Sequence, residues 1–279
     1  MLLHRAKSMY FVDGILINSF FELESSTIKA LGQKFIGKIS FFPVGPITQI
    51  GSSNNGDVVD ELECLKWLKK QPQNSVLYVS FGSGGTLSQR QINELAFGLE
   101  LSAQRFIWVL RAPSDSVSAT YLEDAYSDDP LKFLPKGFLE RTKEKGFILA
   151  SWAPQVEILK QDSVGGFLSH CGWNSILESI QEGVPIVAWP LFAEQAMNAV
   201  MLSDGLKVAI RLKFEDDEIV EKDEIAKVVK CLMEGDDGKE MRNRMKSLKD
   251  SAEKALKDDG SSIEIMFQLA TQLKNSNGI

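Results

Sequence analysis

The stretch Gly165-Gly166-Phe167-Leu168-Ser169-His170-Cys171-Gly172-Trp173-Asn174-Ser175-Ile176-Leu177-Glu178 decides the fold. Within it the chain passes from an apolar run, which fits a buried strand, through a glycine-bearing turn into a helix. A strand feeding a helix is the unit of a parallel sheet with crossover connections. The alternation continues on both sides, and strands are predicted over residues 75–81, 105–111, 146–150, 165–170, 185–189 and 206–212, with helices between them. Ser88 followed by Gln91 predicts a capping box for a helix through Ser102, in which Ile92, Leu95, Ala96 and Leu99 recur at helical spacing. Pro154 suits the first turn of a short helix through Lys160, and Gly183 and Gly205 are placed to stop the next two.

The ends differ from this middle. Residues 222–234, 239–257 and 261–274 read as successive helices with no strand between them, which wrap the sheet or return to another domain. Near the start, residues 12–21 read as a buried strand, and a strand so early needs a partner, so the fold is expected to begin upstream of Met1. Loops are expected at 48–60, rich in Gly, Ser and Asn, and at 112–130, rich in Ser and Asp.

Composition excludes several classes. The 279 residues are 44% hydrophobic and 25% charged, ordinary for a globular chain with a sizeable core. A net charge of −7 argues against nucleic acid as a partner, since phosphate backbones are bound by concentrated Lys and Arg. Three widely separated cysteines, Cys64, Cys171 and Cys231, suit a reducing compartment better than a disulfide framework, and a cytoplasmic location is expected. No apolar run approaches the length of a membrane span, and Met1-Leu2-Leu3-His4-Arg5 is too short and too soon charged to read as a secretory signal.

In open parallel sheets ligands bind beyond the carboxyl ends of the strands, and the unusual residues of this sequence all fall on that edge. Gly82-Ser83-Gly84-Gly85-Thr86 can bring backbone N–H groups and the Ser83 hydroxyl close to a phosphate, although such a turn also serves conformation alone. Leu87 stands where a dinucleotide fingerprint has its third glycine, which disfavours a nicotinamide-dependent dehydrogenase. The run from His170 to Ser175 aims a helix N-terminus over the sheet edge, a place for a diphosphate, with His170 able to add a hydrogen bond or a charge. The alternative is that Asn174 only caps the helix and His170 is a core histidine. Glu178, one turn beyond Asn174, can accept both hydroxyls of a ribose, or can be a solvated helix glutamate. Trp152 with Gln155 offers a flat ring and an amide for a pyrimidine, and Glu194 with Gln195 an acceptor and a two-sided amide for vicinal sugar hydroxyls. His170 and Cys171 are adjacent with no second pair at ligand spacing, so no metal site is expected.

Taken together, Trp152 to Gln195 resembles the plant secondary-product glycosyltransferase box, the signature of the plant family-1 UDP-glycosyltransferases, with its internal spacing kept. The resemblance implies an α/β enzyme of GT-B type. Here it would comprise one Rossmann-like, doubly wound parallel sheet, the donor domain over residues 43–279 with its C-terminal helices, and the end of the acceptor domain with the linker over residues 1–42. It further implies that Trp152 stacks on uracil, Gln155 holds the uracil edge and Glu178 binds the ribose. His170, the Trp173 backbone, Asn174, Ser175 and Ser83 would hold the diphosphate, and Glu194 and Gln195 the sugar, with a final Gln going with glucose. Gly14–Phe20, Phe42–Pro46, Cys64–Leu68, Ser75–Thr86 and Leu134–Thr142 also look like the subgroup containing hydroquinone glucosyltransferase (arbutin synthase). That implies UDP-glucose as donor and hydroquinone, monolignol or flavonoid-like phenols as acceptors, converted to β-glucosides with inversion. No D-x-D triplet occurs, in keeping with a metal-independent mechanism.

The departure is at the front. Family members carry a catalytic histidine in an early Gly-His turn, whereas the only histidines here are His4 and His170, and His4 lies in what resembles a late acceptor-domain helix. The catalytic base is therefore expected outside these residues, and the chain is expected to bind the donor, to be inactive alone and to self-associate through its exposed domain face. A non-catalytic UDP-sugar-binding module, or the donor subunit of a two-chain enzyme, is the rival reading.

Overall fold

The protein was analysed as a computed structural model, which describes residues 12–34, 39–48, 58–113, 129–150, 152–214 and 219–276. Most of the loops expected at 48–60 and 112–130 lie outside the described residues, as does His4. Contacts divide the chain into two units, Met1–Gln49 with Ser247–Ile279, and Ile50–Lys246.

In the first unit β1 (Gly14–Ile17) pairs in parallel with β2 (Ser40–Pro43), and α1 (Phe21–Lys34) connects them. The expected buried strand over 12–21 is thus corrected: four residues pair, Leu16 is 59% exposed, and Phe21 already starts a helix. Among the described residues this sheet has two strands. Asn18 closes the unit, its Nδ2 donating to the Ile47 carbonyl at 2.8 Å and its Oδ1 accepting from the Ile47 N–H at 2.7 Å.

The second unit opens with α2 (Val58–Leu68) and proceeds through β3 (Val76–Ser80), α3 (Gln89–Ser102) and β4 (Arg105–Leu110). It continues with α4 (Phe138–Thr142), β5 (Gly146–Ala150), α5 (Gln155–Leu159), β6 (Val164–Ser169) and α6 (Trp173–Glu182). β7 (Ile186–Ala188), α7 (Gln195–Val200) with a π turn over Met201–Gly205, β8 (Ala209–Arg211) and α8 (Lys222–Glu234) complete the sheet and its cover. Then come α9 (Asp236–Ala255) and α10 (Ser261–Ser276), whose Ser262 hydroxyl donates to the Gly45 carbonyl at 2.6 Å within the first unit.

Among the described residues six strands form one sheet in the order β5-β4-β3-β6-β7-β8, and every pairing is parallel. This is the doubly wound arrangement, and its order reverses between β3 and β6. Both faces are covered, because alternate β3 residues enter different apolar layers. Leu77 and Val79 pack with Leu95, Leu99, Ile225 and Val229, whereas Val76 and Tyr78 pack with Leu68 and Ile158.

Two local expectations change. The strand predicted over 206–212 shrinks to three residues, because the π turn ends only at Gly205 and Lys207 still has φ 55°. Only half of the capping box forms: Ser88 Oγ accepts from the Gln91 N–H at 3.2 Å, but the Gln91 amide pairs with Val220, donating to its carbonyl at 2.8 Å and accepting from its N–H at 2.9 Å. The bonds to Val220 are buried and its backbone groups need partners, a larger demand than the part-buried start of a helix makes.

Candidate functional site

The turns that follow β3 and β6 meet where the strand order reverses. A Cβ on Gly82 would stand 2.6 Å from His170 Cε1, and one on Gly172 would stand 2.4 Å from His170 Nε2. Glycine at both positions is what admits the imidazole, and Gly82 also adopts φ 70°. The clasp hides the ring. Nδ1 of His170 is buried without a hydrogen-bond partner among the described residues, and burial pushes the imidazole down to about 4, with the Glu194 charge opposing in part. Without a ligand His170 is therefore neutral near pH 7 and offers a hydrogen bond, and burial disfavours the charge that the sequence reading also allowed.

α6 begins at Trp173 behind Gly172, which has no side chain to cap the first turn. Asn174 is not the cap but sits inside the helix with an exposed side chain. The positive end of the α6 dipole thus faces the switch point beside His170. Across this crevice Ser83 is exposed on the β3 turn.

A second group of polar side chains gathers beside α6. Gln155, the first residue of α5, donates from Nε2 to Glu178 Oε2 at 2.6 Å and to Ser175 Oγ at 3.0 Å. Its Oε1 accepts from the Tyr78 hydroxyl at 3.3 Å. Burial raises the Glu178 carboxyl above its ordinary range, and the Gln155 hydrogen bond offsets part of that. Trp152, expected to stack on a base, is half-buried in the turn after β5. Gln195 is buried at the start of α7, with Oε1 accepting from the N–H groups of Leu191 at 2.8 Å and Phe192 at 3.0 Å. Its oxygen is thereby engaged, so the amide offers a ligand its NH₂ as donor rather than the two-sided pair read from sequence. Glu194 beside it is exposed.

Sequence reasoning missed Tyr78, Arg111 and Asn198. Tyr78 read as an apolar strand residue, although a tyrosine inside a buried strand needs a partner for its hydroxyl. Asn198 donates to the Cys171 carbonyl at 3.0 Å and ties α7 to the turn after β6, where Cys171 has φ 62°. Arg111 holds the β3 turn by its carbonyls. Among the described residues no group of three or more His, Cys, Asp or Glu is placed to hold a metal ion, and no helix is long and apolar enough to cross a membrane.

The clasp predicts a titration. By NMR, the His170 imidazole is expected to titrate near 4 rather than at 6.5. A value below that of the unfolded chain makes the contribution of His170 to stability complete above about 6.5 and lost as pH falls towards 4. A bound diphosphate should move the midpoint upward, since a nearby anion favours imidazolium. A midpoint at the ordinary value would mean the ring is solvated and the clasp absent.

A family model described as UDP-glucoronosyl and UDP-glucosyl transferase matches residues 42–256. The chain is similar to hydroquinone glucosyltransferase of Rauvolfia serpentina, at 53% identity over 275 residues, covering 98% of this chain and 58% of that protein. It is also similar to UDP-glycosyltransferase 72B1 of Arabidopsis thaliana, at 52% identity over 273 residues, covering 98% and 57%. Among solved structures, Phytolacca americana UGT2 complexed with UDP-2fluoro-glucose and pterostilbene matches with a TM-score of 0.87 and 48% identity over 97% of this chain and 57% of that one. The chain thus spans 57–58% of the length of these relatives.

Proposed function

The chain belongs to the UDP-glucoronosyl and UDP-glucosyl transferase family, and from that premise we propose that its switch-point site holds UDP-glucose for transfer of glucose to a phenolic hydroxyl. The observation that most supports this reading is the clasp of the Gly82 and Gly172 turns around His170 beside the N-terminus of α6. It gathers hydrogen-bond donors and a helix dipole where a diphosphate would lie. Attack of an acceptor oxygen on C1 of α-linked glucose releases UDP and forms a β-glucoside. The donors stabilise the charge that grows on the leaving diphosphate, an electrostatic contribution to the transition state.

In this reading His170, Asn174, Ser175, the Trp173 backbone and Ser83 hold the diphosphate, Trp152 stacks on uracil, and Glu178 takes the ribose hydroxyls. Gln155 orients Glu178 by the 2.6 Å bond, and reaching the uracil edge requires it to exchange that partner. Glu194 and Gln195 take the sugar hydroxyls. The names of the relatives, one a hydroquinone glucosyltransferase, support a phenolic acceptor. We assign residues 43–279 to the donor domain and its C-terminal helices and residues 1–42 to the end of the acceptor domain and the linker, although contacts group residues 43–49 and 247–279 with the first unit. Three free cysteines accord with a reducing, cytoplasmic setting. The 57–58% coverage of relatives favours the narrower variant in which these 279 residues bind the donor without transferring it.

Calorimetry tests the reading. UDP and UDP-glucose are expected to bind well and ADP and NAD weakly, and Trp152→Ala should cost UDP about 1–3 kcal/mol, the usual loss when a stacked base loses its aromatic partner. Equal affinities for UDP and ADP would refute the assignment.

A further inference from the structure

Arg111 stands one residue beyond β4, on the strand next to β3, and its guanidinium reaches the turn at residues 82–86. Its Nη1 donates to the carbonyls of Gly82 at 3.5 Å, of Ser83, and of Gly85 at 3.2 Å. One cationic nitrogen thus engages three of the four carbonyls from Gly82 to Gly85. In a trans peptide the C=O and the N–H of the same unit point in opposite directions. Carbonyls drawn to Arg111 therefore turn the N–H groups of Ser83, Gly84 and Thr86 away from it. Thr86 adds a second tie to the same strand end, its hydroxyl donating to the Ala112 carbonyl at 2.6 Å.

The turn is held by these bonds as well as by close packing of Gly82 on His170 and of Gly85 on Phe81 and Leu191. Gly82, Gly85, Thr86, Trp108 and Arg111 line a cavity of about 20 Å³ beneath it, room for a single water. Glycines allow the backbone more conformations than other residues, so the Arg111 bonds help to select this one.

We propose that Arg111 is a positioning residue for the diphosphate: it acts through the 82–86 turn, holding the carbonyls inward so that the Ser83 N–H and hydroxyl face the ligand. This inference rests on the reading of the switch point as a UDP-sugar site. It differs from a direct phosphate contact, because the Nη1 donors of the guanidinium are engaged by backbone carbonyls of the turn. It also differs from a general stabilising role, because its effect is confined to the phosphate end of the ligand.

The test compares UDP with uridine by calorimetry on the wild-type chain, Arg111→Met and Arg111→Lys, with thermal unfolding of each. Arg111→Met is expected to weaken UDP roughly tenfold while leaving uridine within about twofold, the effect of misplacing one or two donors to a charged group. Arg111→Lys, which keeps a single cationic donor centre, should recover much of the UDP affinity. Equal weakening of UDP and uridine, or unchanged UDP binding in Arg111→Met, would overturn the positioning role while leaving the site assignment standing. If Arg111→Met does not fold, Arg111→Lys decides: a loss confined to UDP, smaller than tenfold, supports the role, and no selective loss refutes it. Failure of the wild-type chain to bind UDP would instead defeat the site reading itself, and the inference with it.

Discussion

UDP-glucose and hydroquinone incubated with the 279-residue chain are expected to remain unreacted, while calorimetry on the same preparation registers UDP-glucose binding. Transfer needs a base within hydrogen-bond reach of the acceptor hydroxyl, and such a base contributes about 10²–10⁴ in rate. His170 is ill-suited. An imidazole pushed down to about 4 is a weak base towards a phenol, and its ring is wedged between two glycine turns at the diphosphate end. The Glu178 carboxylate is already bonded to Gln155. An acceptor also has to be held against C1, and positioning is itself a large share of the rate. The assay follows glucoside formation by chromatography, then repeats it with an acceptor domain from a relative added in trans. Turnover by the chain alone that disappears in His4→Ala or His170→Ala would overturn the donor-only variant, whereas turnover only after the addition supports it.

Glu178→Ala is expected to weaken UDP roughly a hundredfold, about 3 kcal/mol, because two ribose hydroxyls lose a charged acceptor and such hydrogen bonds are worth about 1.5–3 kcal/mol each. The substitution also strips Gln155 of its 2.6 Å partner, so part of the loss reflects a displaced amide. Comparing UDP with its 2′,3′-dideoxy analogue separates the two. Wild type should strongly prefer UDP, and Glu178→Ala should bind both alike. Since burial raises the Glu178 carboxyl, the preference should also fade at a higher pH than an ordinary carboxylate would allow, as protonation removes the charged acceptor. A preference for UDP that survives in Glu178→Ala would place the ribose elsewhere.

Much of the architecture was legible without coordinates. The six strands of the large sheet and the helix at 222–234 were visible because each rests on a local pattern of apolar runs bounded by turn residues. The site turns at 82–86, 152–155, 170–175 and 191–195 all follow strands, and a parallel sheet puts every such turn on one edge. Local signals failed where neighbours decided. The first strand read as buried, but Leu16 is exposed, because burial depends on what other segments pack on the faces of a strand, which no segment encodes by itself.

The residues from Trp152 to Gln195 thus determined the family and the chemical kinds of group at the site, because turn-forming glycines and strand-to-helix passages are written in short stretches of chain. Tertiary structure alone decided the state of those groups. The depressed His170 imidazole, the Gln155 amide bonded to Glu178 across 23 positions, the Gln91 amide taken by Val220 across 129, and Arg111 Nη1 bonded to a turn 26–29 positions away all depend on distant partners. Side-chain chemistry is local, but the burial and hydrogen-bond partners that set protonation and orientation exist only once the fold has brought remote segments together.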